Sequence, residues 1–479
     1  MNVKKQAVSG MIWTFSQQFS VQAINVLVGI ILARILAPEV FGLIGMLAVF
    51  IAIGTSLTDS GMTSSLIRSN DNDQRDYSTV FYFNLLFSIV LYLILYFFAP
   101  LIADFYNQPI LCDVTRVYTI SFIIRAFVGV QTTILTKEMR FKEQMMMQIP
   151  STIIGGIVGI VLAYNGYGVW SIVWMNLSQS FIFTVQHWIF AGWKPSFIIH
   201  KERLKYHLHF GYKLTLSGII DTIYSNVYKI VIGKFFSASD LGYYSQAKNF
   251  QMLPVTNIST ALNKVTYPLF ASIKDDDNKL RRAYQKLLQQ VMFWIAPLMI
   301  LAIVIAKPLF VFMLTAKWLP AVPFFQLLCI TGILYPFHTY NLNILNVKGR
   351  SDLFLKLEVI KKLFITIGIC GAIFFGIYGL LIFQIISSIF SFWINTYYSG
   401  RFLSYPGKMQ ILEVSPILII ALVDGAFVWF LGLFLIKMYN NNLFLVVSLS
   451  IIYIAVYLLA SKLFKIPAIL EFKKLILKQ

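Results

Sequence analysis

The sequence predicts an all-α polytopic membrane protein of about fourteen transmembrane helices, on three observations. The first is composition. Apolar residues fill 58% of 479 positions, charged residues only 12%, and mean hydropathy is +0.74. A soluble domain carries about 25% charged residues, so this chain has too few to cover a water-facing surface. The second is the recurrence, from end to end, of apolar runs about 20 residues long, the length at which a helix crosses a bilayer. The third is a sharp difference in charge between alternate loops.

The spans read from the runs are 11–35, 40–66, 78–102, 110–134, 145–164, 168–191, 209–234, 240–267, 287–313, 320–346, 355–374, 378–399, 413–436 and 442–461. Turn residues such as Asn165-Gly166 and Asn440-Asn441-Asn442 separate them. The runs are continuous and lack ten-residue alternation, which selects helices over barrel strands. Met1 to Gly10 is basic, and the apolar stretch after it has no small-residue cleavage site, so it reads as a first membrane helix rather than a signal peptide.

One set of loops, with both termini, holds 28 Lys and Arg, running from Lys4 and Lys5 through Arg68, Arg140, Lys201, Arg203, Lys205, Arg281, Lys348 and Arg401 to the tail. The opposite loops hold only Arg34, Lys234, Lys307, Lys317 and Lys437. The positive-inside rule then places both termini in the cytoplasm and requires an even number of helices. The net charge of +19 thus reads as membrane orientation, with membrane lipids and not nucleic acid as partners. The outer loops are short. A membrane enzyme that polymerises sugars usually carries a large outer loop with catalytic groups, and this chain has nowhere to put one.

A faint internal repeat is visible at an offset of 200 residues: Arg34 against Lys234, Gly42 against Gly242, Phe50 against Phe250. A second echo sets Gly166-Tyr167-Gly168 against Gly376-Ile377-Tyr378-Gly379. Six spans separate the units, so the halves are parallel repeats. The expected organisation is a six-helix lobe over 1–191, a cytoplasmic connection over 192–208, a second six-helix lobe over 209–399, and two extra helices with a basic tail over 400–479.

Ionisable groups at bilayer depth cost about 2.5–3.5 kcal/mol on insertion scales and normally face a cavity or a partner. Arg125 in the fourth span sits near mid-depth and shares a face with Ser121 and Thr132. It is the leading candidate for a cavity-lining cation, against a structural ion pair. Gln18, Gln22 and Asn25 form a polar stripe on the first span; Asp221, Ser225 and Lys229 form one on its repeat partner, the seventh. The pair suggests a shared cleft, against interhelical hydrogen bonding. Lys248 lies on the eighth span, while Lys264 reads as an anchor at its cytoplasmic end. Asp59 and Asp424 are candidates for ion coupling, with a structural pair as the other reading of Asp424. Cys112, Cys329 and Cys370 show no metal-ligand or disulfide spacing, the five histidines no zinc spacing, and there is no phosphate loop for a bound nucleotide. No catalytic residue, metal or cofactor is expected. A cationic, amide-rich interior suits an anionic, polyhydroxylated ligand, because Arg grips phosphate as a planar fork and amides bond sugar hydroxyls.

Several short motifs stand out: Ala33-Arg34-Ile35-Leu36-Ala37-Pro38 with Gly42, Asp59-Ser60-Gly61 leading to Leu66-Ile67-Arg68, Met139-Arg140-Phe141-Lys142, and Gly166-Tyr167-Gly168-Val169-Trp170. In the second half they are Ile232-Gly233-Lys234, Leu241-Gly242-Tyr243-Tyr244, Lys317-Trp318-Leu319-Pro320 and Lys348-Gly349-Arg350-Ser351-Asp352. Together, in this order, they resemble the polysaccharide transporter branch of the multidrug/oligosaccharidyl-lipid/polysaccharide exporter superfamily. The resemblance implies a two-lobed bundle in the bacterial inner membrane, alternating access, and an undecaprenyl-diphosphate-linked oligosaccharide as cargo for O-antigen, capsule or exopolysaccharide. It also implies glycosyltransferases and a polymerase as pathway partners. Many relatives carry an acid shortly before the Ile-Gly of helix 7, where this chain has Val227 and Tyr228, so that coupling role is not carried over. The runner-up readings are a drug or small-cation antiporter of the same superfamily, which a basic interior disfavours, and a membrane polymerase.

Overall fold

A computed structural model describes residues 3–59, 61–69, 71–439 and 441–469. Ser60 and the tail bases Lys473, Lys474 and Lys478 lie outside the described residues, as do the side chains of Lys4, Lys5, Asp59 and Lys264. The described chain is helical, with no strand. Its α-helices are α1 Val3–Ile35, α2 Pro38–Asp59, α3 Met62–Arg68, α4 Gln74–Tyr106, α5 Ile110–Tyr118, α6 Ile120–Ala126, α7 Gly129–Lys137, α8 Phe141–Tyr164, α9 Val169–Phe190 and α10 Lys201–Ser225. They continue with α11 Val227–Phe235, α12 Ala238–Ser272, α13 Asp277–Val304, α14 Ala306–Leu314, α15 Ala321–Val347, α16 Ser351–Ala372, α17 Gly376–Leu403, α18 Gly407–Met438 and α19 Asn442–Leu463.

Local chemistry sets the ends. Pro38 opens α2, where its missing N–H costs nothing. Asp73 caps α4 by accepting from the N–H groups of Arg75 and Asp76, while the Asp76 carboxylate accepts from the Asp73 N–H. Asn441 caps α19 by accepting from Leu443 and Phe444. Between α8 and α9, Gly166 and Gly168 adopt φ of 80° and 54°, a turn that a side chain would strain.

All fourteen expected spans fall on helix, but that does not establish fourteen crossings. Among the described residues, nine helical segments are long and apolar enough to span a membrane, one of them Ser351–Leu403 taking in both α16 and α17. A tenth is added if Ile110–Ala126 and Gly129–Lys137, bent by 43°, make one span. Helices α9, α10 and α12 fall outside this set. They carry Asn176, Gln179 and His187, then Lys205, His209 and Asp221, then Gln246, Lys248, Asn249 and Asn257. Such side chains lower the mean hydropathy of these helices below that of an all-apolar span.

The fourth span is not the continuous helix the sequence suggests. It breaks after Tyr118 and again at Phe127–Val128. Broken backbone at membrane depth needs replacement partners, and α9 supplies them. Thr184 Oγ1 donates to the Ile124 carbonyl at 3.1 Å, and Trp188 Nε1 to the Phe127 carbonyl at 3.0 Å. These residues are four apart on one face of α9.

The chain divides into two compact units, Met1–Gly242 and Tyr243–Gln479. In the first, α8 packs on α1 and α9, and the α10–α11 pair packs against α2, α3 and α4. By packing, α10 and α11 group with the first unit. In the second unit α13 packs on α15 and α18, and α15 on α17. Its core includes Phe293, Ile300, Ile417, Ala421, Val428, Tyr453 and Tyr457. A buried polar knot closes one end: Asn341, Gln410, Ser399 and Tyr284 are joined by side-chain hydrogen bonds of 2.6–3.3 Å.

Candidate functional site

Arg125 lies at the last turn of α6, beside the break. Its Nε donates to Ser180 Oγ at 3.4 Å, and no carboxylate pairs with it among the described residues. Ser121 stands on α6 and is buried, but Thr132 lies beyond the break on α7, so the shared face assumed for a straight helix does not exist. The side chain instead lines a small cavity of about 30 Å³ with Thr55, Thr58, Thr63 and Asn84. That space holds a water or two and is far too small for a sugar diphosphate in this conformation.

The other candidates distribute as follows. Gln18 and Asn25 are exposed on α1 and Gln22 is half-buried, while α1 packs mainly on α8. Asp221 and Ser225 are exposed on α10, and Lys229 is half-buried on α11. All of these belong to the first unit. Lys248 is half-buried on α12 in the second. Asp59 ends α2. Asp424 is 3% exposed on α18, and neither carboxylate oxygen has a hydrogen-bond partner among the described residues. Tyr453 and Tyr457, its near neighbours across α19, spend their hydroxyls on the carbonyls of Ala421 and Phe293. An apolar groove of about 540 Å³ runs past the same tyrosines, walled by Trp294, Pro297, Leu298 and Leu458.

Sequence reasoning missed one polar constellation. His207 is fully buried, with Nδ1 2.8 Å from Ser65 Oγ and Nε2 3.2 Å from Asp76 Oδ1. Arg203 Nε adds a longer contact to the same carboxylate oxygen at 3.7 Å. Only the capping spacing of Asp73 and Asp76 hinted at it, since the partners are up to 142 residues apart. The order Ser–His–Asp is that of a hydrolase, but the Ser65 N–H is spent on the Gly61 carbonyl inside the helical turn. That N–H is therefore not free to serve as an oxyanion donor.

A family profile described as polysaccharide biosynthesis protein matches residues 31–323. The lipopolysaccharide biosynthesis protein WzxC of Escherichia coli K12 is 25% identical over 401 residues, covering 82% of each chain. The teichuronic acid biosynthesis protein TuaB of Bacillus subtilis is 25% identical over 360 residues, 74% of this chain and 73% of that one. The succinoglycan biosynthesis transport protein ExoT of Rhizobium meliloti is 24% identical over 311 residues, 65% and 63% respectively. Among solved structures, the lipid II flippase MurJ in an inward closed conformation superposes with a TM-score of 0.75 over 95% of this chain and 98% of that one, at 16% identity. An inward-facing multidrug resistance MATE transporter of the MOP superfamily gives 0.61 over 80% and 96%, at 18% identity. These likenesses show a shared fold. The profile covers more than half of a polytopic helical membrane protein, and the chain belongs to the polysaccharide biosynthesis protein family.

Proposed function

We propose that the protein is a flippase that moves an undecaprenyl-diphosphate-linked oligosaccharide across the bacterial inner membrane during surface polysaccharide biosynthesis. The family match over residues 31–323 carries the reading. It is supported by relatives named for lipopolysaccharide, teichuronic acid and succinoglycan biosynthesis, the last as a transport protein, and by the fold shared with a lipid II flippase. No chemical step is required of the chain. Movement comes from alternating access between two six-helix lobes, with both termini cytoplasmic and fourteen crossings.

In this reading Arg125, with Lys248 and Lys229, meets the diphosphate, and Gln18, Gln22, Asn25, Asp221 and Ser225 line the path of the sugars. Arg125 lacks a carboxylate partner among the described residues, which leaves its charge available to an anionic cargo. The apolar groove beside Tyr453 suits an isoprenoid chain. Asp424, and Asp59 at the end of α2, are the candidates for ion coupling. Glycosyltransferases and a polymerase of the same pathway would supply and consume the cargo.

The test is reconstitution. Proteoliposomes holding the purified protein and a fluorescent polyprenyl-diphosphate sugar should make the inner-leaflet probe accessible to an outside quencher. Empty liposomes should not. A drug antiporter, the reading that the MATE fold would favour, would instead lower cell sensitivity to cationic dyes and leave the lipid probe unmoved.

A further inference from the structure

A groove of about 740 Å³ lies between α3 and α10 in the first unit, and Arg125 is not among its lining residues. Its walls carry Arg68, Lys205 and His209, with Glu202 as the single carboxylate among the described residues, and Ser65 faces it. The Arg68 guanidinium stacks over Phe210, 4.9 Å from the ring centroid. None of Arg68, Lys205 and Glu202 forms an ion pair among the described residues. Behind this wall the Ser65–His207–Asp76 chain is almost entirely buried: Ser65 is 4% exposed, His207 0% and Asp76 2%.

We infer that this groove binds a phosphoryl group, and that the buried chain behind it couples that binding to one proton on His207. The inference deepens the proposed function by giving the diphosphate of the cargo a first docking point outside the central cavity.

The groups fit a phosphoryl ester. Arg68 offers a planar fork and Lys205 a point charge from two different helices, a pairing suited to several equivalent oxygens. Tyr206 and Phe210 provide an apolar flank for whatever the phosphate is attached to. The proton coupling follows from donor and acceptor arithmetic. With His207 neutral, Nε2–H donates to Asp76 Oδ1, and Nδ1 accepts the Ser65 hydroxyl hydrogen. With His207 protonated, Nε2–H still donates to Asp76, and Nδ1–H now donates to Ser65 Oγ. The hydroxyl hydrogen must leave the imidazole, and the groove lies on the open side of Ser65. One proton therefore adds a positive charge behind the groove and a donor facing it, with no heavy atom moved.

The charged and titratable groups around His207 are Asp76 on α4, held in turn by the Asp73 N–H, Arg203 on α10, and at the groove Arg68 on α3 with Glu202, Lys205 and His209 on α10. Burial depresses the imidazole pKa below its usual value of 6.5, against the opposing pull of the Asp76 hydrogen bond and charge. An anion in the groove would favour the charged form, so by linkage binding tightens as pH falls.

The experiment is calorimetric binding of geranyl diphosphate, a soluble polyprenyl diphosphate, to the full-length protein in neutral detergent at about pH 5.5 and about pH 7.5, either side of the ordinary imidazole value. All measurements are made in an Arg125→Ala background, so that loss of the central site and loss of the groove are separate results. We expect binding about tenfold tighter at the acid pH. With His209→Gln also in the background, His207→Asn should remove the protein's contribution to the pH dependence, Ser65→Ala should lessen it, Ser65→Thr should keep it, and Arg68→Ala with Lys205→Ala should abolish binding at both pH values. Competition with short-chain phosphatidylglycerol, against phosphatidylcholine as control, separates the two sources of a phosphoryl group. Displacement by phosphatidylglycerol makes the ligand a phospholipid headgroup; resistance to it makes the ligand the cargo diphosphate. Unchanged binding in the Arg68→Ala, Lys205→Ala protein, or no binding at all once Arg125 is removed, overturns the groove. A pH dependence that is the same with and without His207→Asn overturns the coupling.

Discussion

Gly42 and Gly242, 200 residues apart in the chain, meet each other's helix in the same way. A Cβ on Gly42 would lie 1.7 Å from the carbonyl oxygen of Ala238, and one on Gly242 would lie 2.0 Å from that of Pro38. Pro38 and Ala238 are themselves 200 apart, so the contact is reciprocal between the first turns of α2 and α12. Both obstacles are backbone atoms, which cannot swing aside. Gly42→Ala and Gly242→Ala should each destabilise by at least about 1–3 kcal/mol, and to a similar extent. Gly29→Ala, at a helical site with open space around it, should gain about 0.4–1 kcal/mol. Thermal unfolding in detergent measures all three. Opposite behaviour of Gly42 and Gly242 would argue against a repeat.

Asn341 and Gln410 exchange amide hydrogen bonds of 3.0 and 3.1 Å, and Ser399 donates to the same Asn341 oxygen at 2.6 Å. Replacing Asn341 by Leu removes one donor and one acceptor from the buried Gln410 amide, which keeps the Tyr284 hydroxyl and the Tyr405 carbonyl. The expected cost is about 1–3 kcal/mol. A double-mutant cycle between Asn341→Ala and Gln410→Ala should show coupling of about 0.5–3 kcal/mol. Strict additivity would mean the pair contributes nothing of its own.

Arg125→Ala should abolish surface polysaccharide while the protein remains near its normal level in the membrane. Arg125→Lys should restore part of the export, because the charge survives and the fork does not. If Arg125 held a buried acid instead, its loss would cost roughly 3–5 kcal/mol and the protein would be degraded. Immunoblotting of membranes beside a polysaccharide assay distinguishes these outcomes.

Asp424 occupies a site that pairs neither carboxylate oxygen among the described residues. Burying a carboxyl group without a hydrogen-bond partner is costly. Asp424→Leu should therefore leave thermal stability unchanged or raise it. If the group couples ions to transport, the same variant should retain cargo binding and lose the dependence of flipping on an imposed proton gradient. Wild-type gradient response in Asp424→Leu liposomes would remove it from the coupling scheme.

Reporter fusions at Gln479 and beside Lys201 should both be cytoplasmic, on the asymmetry of 28 bases against five. A fusion at either position found on the outer face would break the fourteen-crossing topology.

The sequence by itself determined the class and the order of the helices. Too few charges, apolar runs of bilayer length and the Gly42–Gly242 spacing are properties of the chain read locally, and hydrophobic transfer follows local composition. It also marked Arg125, Lys248 and Asp424 as costly charges, because an ionisable residue within an apolar run is visible without a fold. Tertiary structure decided everything that depends on which helices touch. The break at Phe127–Val128 could not be foreseen, since Thr184 and Trp188, more than fifty residues later, supply the partners for the freed carbonyls. That break moved Thr132 off the face assigned to Arg125. Likewise Ser65, Asp76 and His207 are unremarkable polar residues along the chain. Only the packing of α10 on α3 and α4 buries them together, and only in that low-dielectric contact does the position of one proton acquire a consequence.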